Sequence, residues 1–132
     1  EGMPLIADQI LIAPGDAHLM VDRQGGRVVA HLDRRQAASG CLPSVDPMLR
    51  SVAEIYGAGG CAVILSGMGR DGAAGATRLA AVGGSVLAQD EASSAVWGMP
   101  RAVAEAGLAC AVLPPDKLAR RVASRAGEIA WK

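Results

Sequence analysis

The chain's 132 residues suffice for one domain that buries about two-thirds of its unfolded surface, and with 51% hydrophobic but only 2% aromatic residues and no Phe, the core must be aliphatic. Thirteen basic and thirteen acidic side chains balance to zero, and no Lys/Arg-rich stretch is interleaved with aromatics, which excludes a nucleic-acid module. No run approaches the roughly 18 apolar residues of a membrane span, and Cys41, Cys61 and Cys110 lack metal-ligand spacing, so the expectation is a cytoplasmic protein without membrane insertion, metal or cofactor.

In chain order, Gln9 to Ala13 ("QILIA"), closed by Pro14-Gly15, reads as a short strand. Leu19 to Val21 and Arg27 to Leu32 flank "DRQGG", whose glycines suit a hairpin turn. Asp33 to Leu42 reads as a polar loop. Ser44 can cap a helix carrying Val45, Met48, Leu49, Val52 and Ile55 or Tyr56 at helical spacing, with Gly57 as its stop. Cys61 to Leu65 is an apolar run, Ala73 to Val82 is helical and ends at Gly83-Gly84, and Ser85 to Ala88 is a second run. Pro100 opens a helix over Arg101 to Ala106, Ala109 to Leu113 is a third run, and Pro114-Pro115 starts a last helix with Leu118, Val122, Ala126 and Ile129 on one side. Strands apolar on both faces, alternating with helices, predict an α/β fold. Its parallel, Rossmann-like sheet has helices on both faces, three layers in all, with an early β-hairpin.

The loop Ser66 to Gly72, "SGMGRDG", joins a predicted strand to a predicted helix and has the spacing G-x-G-x-x-G. In a parallel sheet this is the ligand-bearing end. A nucleotide phosphate is one reading, and Asp90 and Glu91 after the next strand stand where an acid would meet a ribose. Asp71 argues against it, because its charge would compete with a pyrophosphate for the helix pole. The same carboxylate could satisfy that helix's own amides and orient an imidazolium. Plain N-capping is the commonest role for such a residue, and the residues alone leave these readings open.

Four stretches at coherent spacing, "IAPGDAHL", "PSVDPMLRSVA", "ILSGMGRDGAAG" and "AQDEASSAVWGMPRAV", resemble the carboxyl-terminal catalytic domain of chemotaxis protein-glutamate methylesterases, the CheB family. The resemblance implies hydrolysis of glutamyl methyl esters, and deamidation of glutamines, on cytoplasmic chemoreceptor helices by a Ser-His-Asp triad. Asp71 falls on the triad aspartate. Gly67, Met68 and Gly69 would line the cleft, with the Met68 amide near the oxyanion. A receiver domain is usual upstream.

The family's nucleophile turn and Q-H-M-like motif are not found in these residues, so residues 1–132 read as the carboxyl-terminal portion of one domain, incomplete relative to the family and predicted to be catalytically silent alone. None of the serines sits in a nucleophile elbow. Ser66 is expected to close its loop through backbone bonds. His18 is a candidate for the cleft edge, although stabilising the preceding turn is the more ordinary role; His31 reads as a solvated ribbon residue, and Trp97 and Met99 as core or rim. A bare strand edge would favour self-association. The alternatives carried forward are a non-catalytic binding module of the same descent and a nucleotide-binding domain.

Overall fold

The computed structural model of the chain describes residues 1–127. The hairpin turn forms where expected, because Gly25 and Gly26 both take positive φ, 54° and 82°. Strand β1 (His18–Gln24) runs antiparallel to β2 (Arg27–Asp33), with Gln24 opposite Arg27. Both strands are longer than their apolar cores suggest.

Gln9 to Ala13 is not a strand. Its Ile10 and Ile12 are 91% and 87% exposed. A strand needs a partner, and the outer edge of β2 is already taken: Gly2 donates its N–H to the Ala30 carbonyl, Ala30 donates to Met3, and Leu5 donates to Val28. On β1, the Val21 N–H is satisfied by Ser51 Oγ at 3.0 Å.

Helix α1 (Val45–Tyr56) ends at Gly57, whose φ of 53° turns the chain and returns its N–H to the Ala53 carbonyl. After a 3-10 turn at Gly57–Gly59 come β3 (Cys61–Ile64), α2 (Ala73–Ala81), β4 (Ser85–Gln89), α3 (Met99–Glu105), β5 (Ala111–Leu113) and α4 (Pro115–Gly127). The three strands are parallel in the order β3-β4-β5, with Ile64 beside Ala88 and Ala88 beside Val112.

Alternation divides the sheet's faces. Ala62, Ile64, Val86 and Ala88 point into one buried cluster with Leu49 and Ala53 of α1, Ala76 and Leu79 of α2, and Val103 of α3. Leu87 is buried outside that cluster and points the other way, and α4, whose Leu118 is buried, packs on β4. The predicted helix-sheet-helix layering therefore stands. Among the described residues β3 is an edge strand, and Val63 and Leu65 on and just beyond it are 37% and 51% exposed. Ile129, expected on the apolar side of the last helix, lies outside the described residues. No helix among them is long and apolar enough to cross a membrane.

Candidate active site

The loop between β3 and α2 is shaped by its glycines. Gly69 and Gly72 have φ of 88° and 94°, conformations that L side chains rarely adopt. A Cβ on Gly98 would stand 2.8 Å from the Gly67 carbonyl and 2.9 Å from the Gly69 nitrogen, so the following loop can close on this one only at that position without a side chain. The two loops are stitched by Gly67 N–H to Val96 O at 3.0 Å and Met99 N–H to Gly67 O at 2.8 Å.

Ser66 has the loop-closing contacts expected of it. Its Oγ donates to the Val96 carbonyl and accepts the Val96 N–H, at 3.2 and 3.0 Å. Gln89, missed because the apolar run stops one residue before it, anchors both loops. It is buried; its Oε1 accepts the Ser66 N–H at 2.7 Å, its Nε2 donates to the Ser93 carbonyl at 2.9 Å, and its own carbonyl accepts Trp97 Nε1–H at 3.1 Å. Asp90 holds the turn after β4 through the N–H and hydroxyl of Ser93.

Asp71 does not serve its own helix. The N-cap of α2 is Gly72, which has no side chain to offer, and the amides that Asp71 satisfies belong to α1. Oδ2 accepts the Val45 N–H at 2.8 Å; Oδ1 accepts the Ser44 hydroxyl at 2.7 Å and the Asp46 N–H at 3.3 Å. Ser44 does occupy the N-cap position of α1, with φ −113° and ψ 142°, but its hydroxyl makes no cap bond. A carboxylate accepting at that pole is the stronger partner, so the serine donates to it instead.

The α2 pole is filled in return. Asp46 Oδ1 accepts the Gly75 N–H at 2.7 Å, a bond that an N-cap side chain would normally supply. A nucleotide phosphate would need this pole, and a carboxylate already holds it.

Asp71 lies on the wall of a cleft of about 560 Å³, with Met68, Gly69, Arg70, Ala73, Ala74 and Ala102 around it. Met68 is 86% exposed. Gly67 stands one residue back at the loop stitch. His18 is not in this cleft: it is 1% exposed and lines a separate cavity of about 360 Å³ with Asp33, Arg35 and Arg50. Its Nδ1 accepts the Ser44 N–H at 2.8 Å and its Nε2–H donates to the Arg35 carbonyl at 2.8 Å, so both ring nitrogens are engaged. The link to Asp71 through Ser44 was missed by reading motifs one at a time. The available signal was the spacing in "PSVD", a hydroxyl and a carboxylate at the start of one helix.

Residues 1–122 match the family model described as CheB methylesterase. The chain belongs to the CheB methylesterase family. It is 49% identical over 131 residues to protein-glutamate methylesterase/protein-glutamine glutaminase 2 of Caulobacter vibrioides, covering 98% of this chain and 38% of that protein. A protein-glutamate methylesterase/protein-glutamine glutaminase of Rhodopseudomonas palustris is 48% identical over 118 residues, 89% of this chain and 31% of its own. The crystal structure of the Thermotoga maritima CheB methylesterase catalytic domain superposes with a TM-score of 0.88 at 40% identity, over 92% of this chain and 64% of that one. The chain thus spans about a third of the length of these curated CheB relatives and about two-thirds of the solved catalytic domain.

Proposed function

We propose that residues 1–132 are the carboxyl-terminal portion of a protein-glutamate methylesterase catalytic domain, and that Asp71 is the acid of a Ser-His-Asp triad whose serine and histidine belong to polypeptide outside these residues. One observation carries this reading. Asp71 stands beyond the C-terminal end of a parallel strand, on a cleft wall, with Oδ2 accepting, among the described residues, a single bond, from Val45. A carboxylate oxygen accepts two, and the second position on Oδ2 suits an imidazole N–H.

An imidazole so held keeps its productive tautomer and is stabilised as it becomes charged. The serine hydroxyl attacks the glutamyl ester carbonyl while the imidazole takes its proton. The tetrahedral species expels methanol, which receives that proton, and water then hydrolyses the acyl-enzyme to glutamate by the same relay. Glutamine follows the same route with ammonia leaving. The Met68 N–H, which donates to no group among the described residues, supports a role for this amide near the oxyanion, with Gly67 and Gly69 keeping the approach free of side chains.

The substrate in this reading is a methylated chemoreceptor helix in the cytoplasm, and a receiver domain precedes the catalytic domain. The exposed Val63 and Leu65 beside the β3 edge support pairing with the rest of that domain, or self-association of the 132-residue chain on its own. The filled α2 pole gives the nucleotide-binding alternative no comparable support.

Asp71→Asn in an intact methylesterase containing this segment should lower kcat by roughly 10⁴-fold; an unchanged kcat would overturn the assignment. The 132-residue chain alone should hydrolyse no ester above background, and a rate near that of the intact enzyme would overturn the need for outside residues.

A further inference from the structure

We infer that Ser44 is a positioning residue for Asp71, held in place by His18, so that a buried relay at the start of α1 aims the carboxylate into the cleft. The inference rests on the reading of Asp71 as a triad acid. It starts from the direction of each proton. A carboxylate oxygen only accepts, so the 2.7 Å contact is a bond donated by the Ser44 hydroxyl. That hydroxyl's proton is then spent, and its 2.9 Å contact with Ser39 Oγ must be donated by Ser39, whose own oxygen accepts the Cys41 N–H at 3.2 Å. The Ser44 backbone N–H is held by His18 Nδ1, which places the ring's proton on Nε2, where it is donated to the Arg35 carbonyl. Ser44 is 3% exposed and His18 is 1% exposed, so water does not compete for either.

The consequence lies in the asymmetry of Asp71. Among the described residues Oδ1 accepts two bonds and Oδ2 one, so the position left for an imidazole is on Oδ2. Without the Ser44 hydroxyl, Oδ1 keeps only the long 3.3 Å bond from the Asp46 N–H. Both oxygens then offer an open position and the carboxyl plane can turn, so the imidazole is presented with two sites instead of one. Ser44 touches no substrate in this scheme. Its effect passes through Asp71 to the imidazole, which predicts a loss in kcat rather than in substrate binding.

The test uses the intact methylesterase containing this segment, with Ser44→Ala, Ser44→Thr and Asp71→Asn compared. Ser44→Ala should lower kcat about tenfold to a hundredfold, the scale of one lost hydrogen bond to a charged group, with KM for methylated receptor within about twofold. Ser44→Thr, which keeps the hydroxyl, should recover most of the loss. The proton NMR signal of the imidazole N–H bonded to the aspartate should shift in Ser44→Ala and return in Ser44→Thr. Should Ser44→Ala fail to fold by thermal melting, Ser44→Cys, nearly the same size with a weak donor, replaces it with the same expectation. Wild-type kcat and an unmoved proton signal in a folded hydroxyl-free variant would overturn the inference. If Asp71→Asn abolishes turnover under those conditions the triad reading survives alone; if Asp71→Asn is also fully active, both fall.

Discussion

Asp46 and Asp71 exchange helices. Asp71, one residue before the N-cap of α2, accepts the first two amides of α1, while Asp46, in the first turn of α1, accepts the Gly75 N–H of α2 at 2.7 Å. Two helix N-termini carrying partial positive charge are thereby brought side by side with a carboxylate on each. The exchange ties the loop after β3 to a helix more than twenty residues earlier in the chain, and it fixes where the Asp71 carboxylate can point.

Asp46→Ala should therefore act as the loss of a cap on a helix to which Asp46 does not belong. We expect a loss of about 1 kcal/mol, read as a lower urea midpoint at unchanged slope. Amide hydrogen exchange should place the loosening in the first turn of α2, at Gly75, with the first turn of α1 still protected, because Asp71 remains on it.

Gly75→Ala tests the closeness of the two helices at the same point. A Cβ there would stand 2.7 Å from Leu49 Cβ and 2.8 Å from the Asp46 carbonyl, so α1 and α2 would have to separate. Overpacking of this kind costs roughly 1–3 kcal/mol, against about 1 kcal/mol gained by Ala over Gly in a helix. Net destabilisation is expected in urea unfolding. Gly15→Ala is the control, since nothing lies within 4 Å of a Cβ at that position and its φ is unremarkable.

The loop that carries the Arg35 carbonyl, the partner of His18, is held by an ion pair. Arg35 Nη2 lies 2.7 Å from Asp33 Oδ2, and the Arg35 side chain and then its backbone N–H hold the Asp33 carboxyl far below its ordinary value of 3.8. A carboxyl depressed in the folded state adds stability above its unfolded pKa, and that stability is lost as the pH falls toward the folded value. Arg35→Gln should accordingly destabilise the protein most above about pH 4, and the gap between variant and wild type should narrow on acidification. Urea midpoints measured from neutral pH down to about pH 3 check this; a gap that widens in acid would contradict it.

What the sequence determined by itself was local. Gly25-Gly26 dictated the hairpin, the apolar runs starting at Cys61, Ser85 and Ala109 became the parallel strands, the third shortened to Ala111–Leu113, and Gly57 ended α1, because turn geometry and side-chain alternation depend on neighbours in the chain. The place of Asp71 on the loop after the first parallel strand was legible in the sequence. Its partners were not. The tertiary structure alone decided that it caps α1 and not α2, that Ser44 donates to it, and that His18 is consumed at both nitrogens away from the cleft. It also left Gln9 to Ala13 without a strand, since the edge of β2 was taken by Gly2 to Leu5. Periodicity records which face of an element is buried, but a hydrogen bond is satisfied by whichever donor or acceptor the fold brings within about 3 Å, and that competition is settled only when the elements pack.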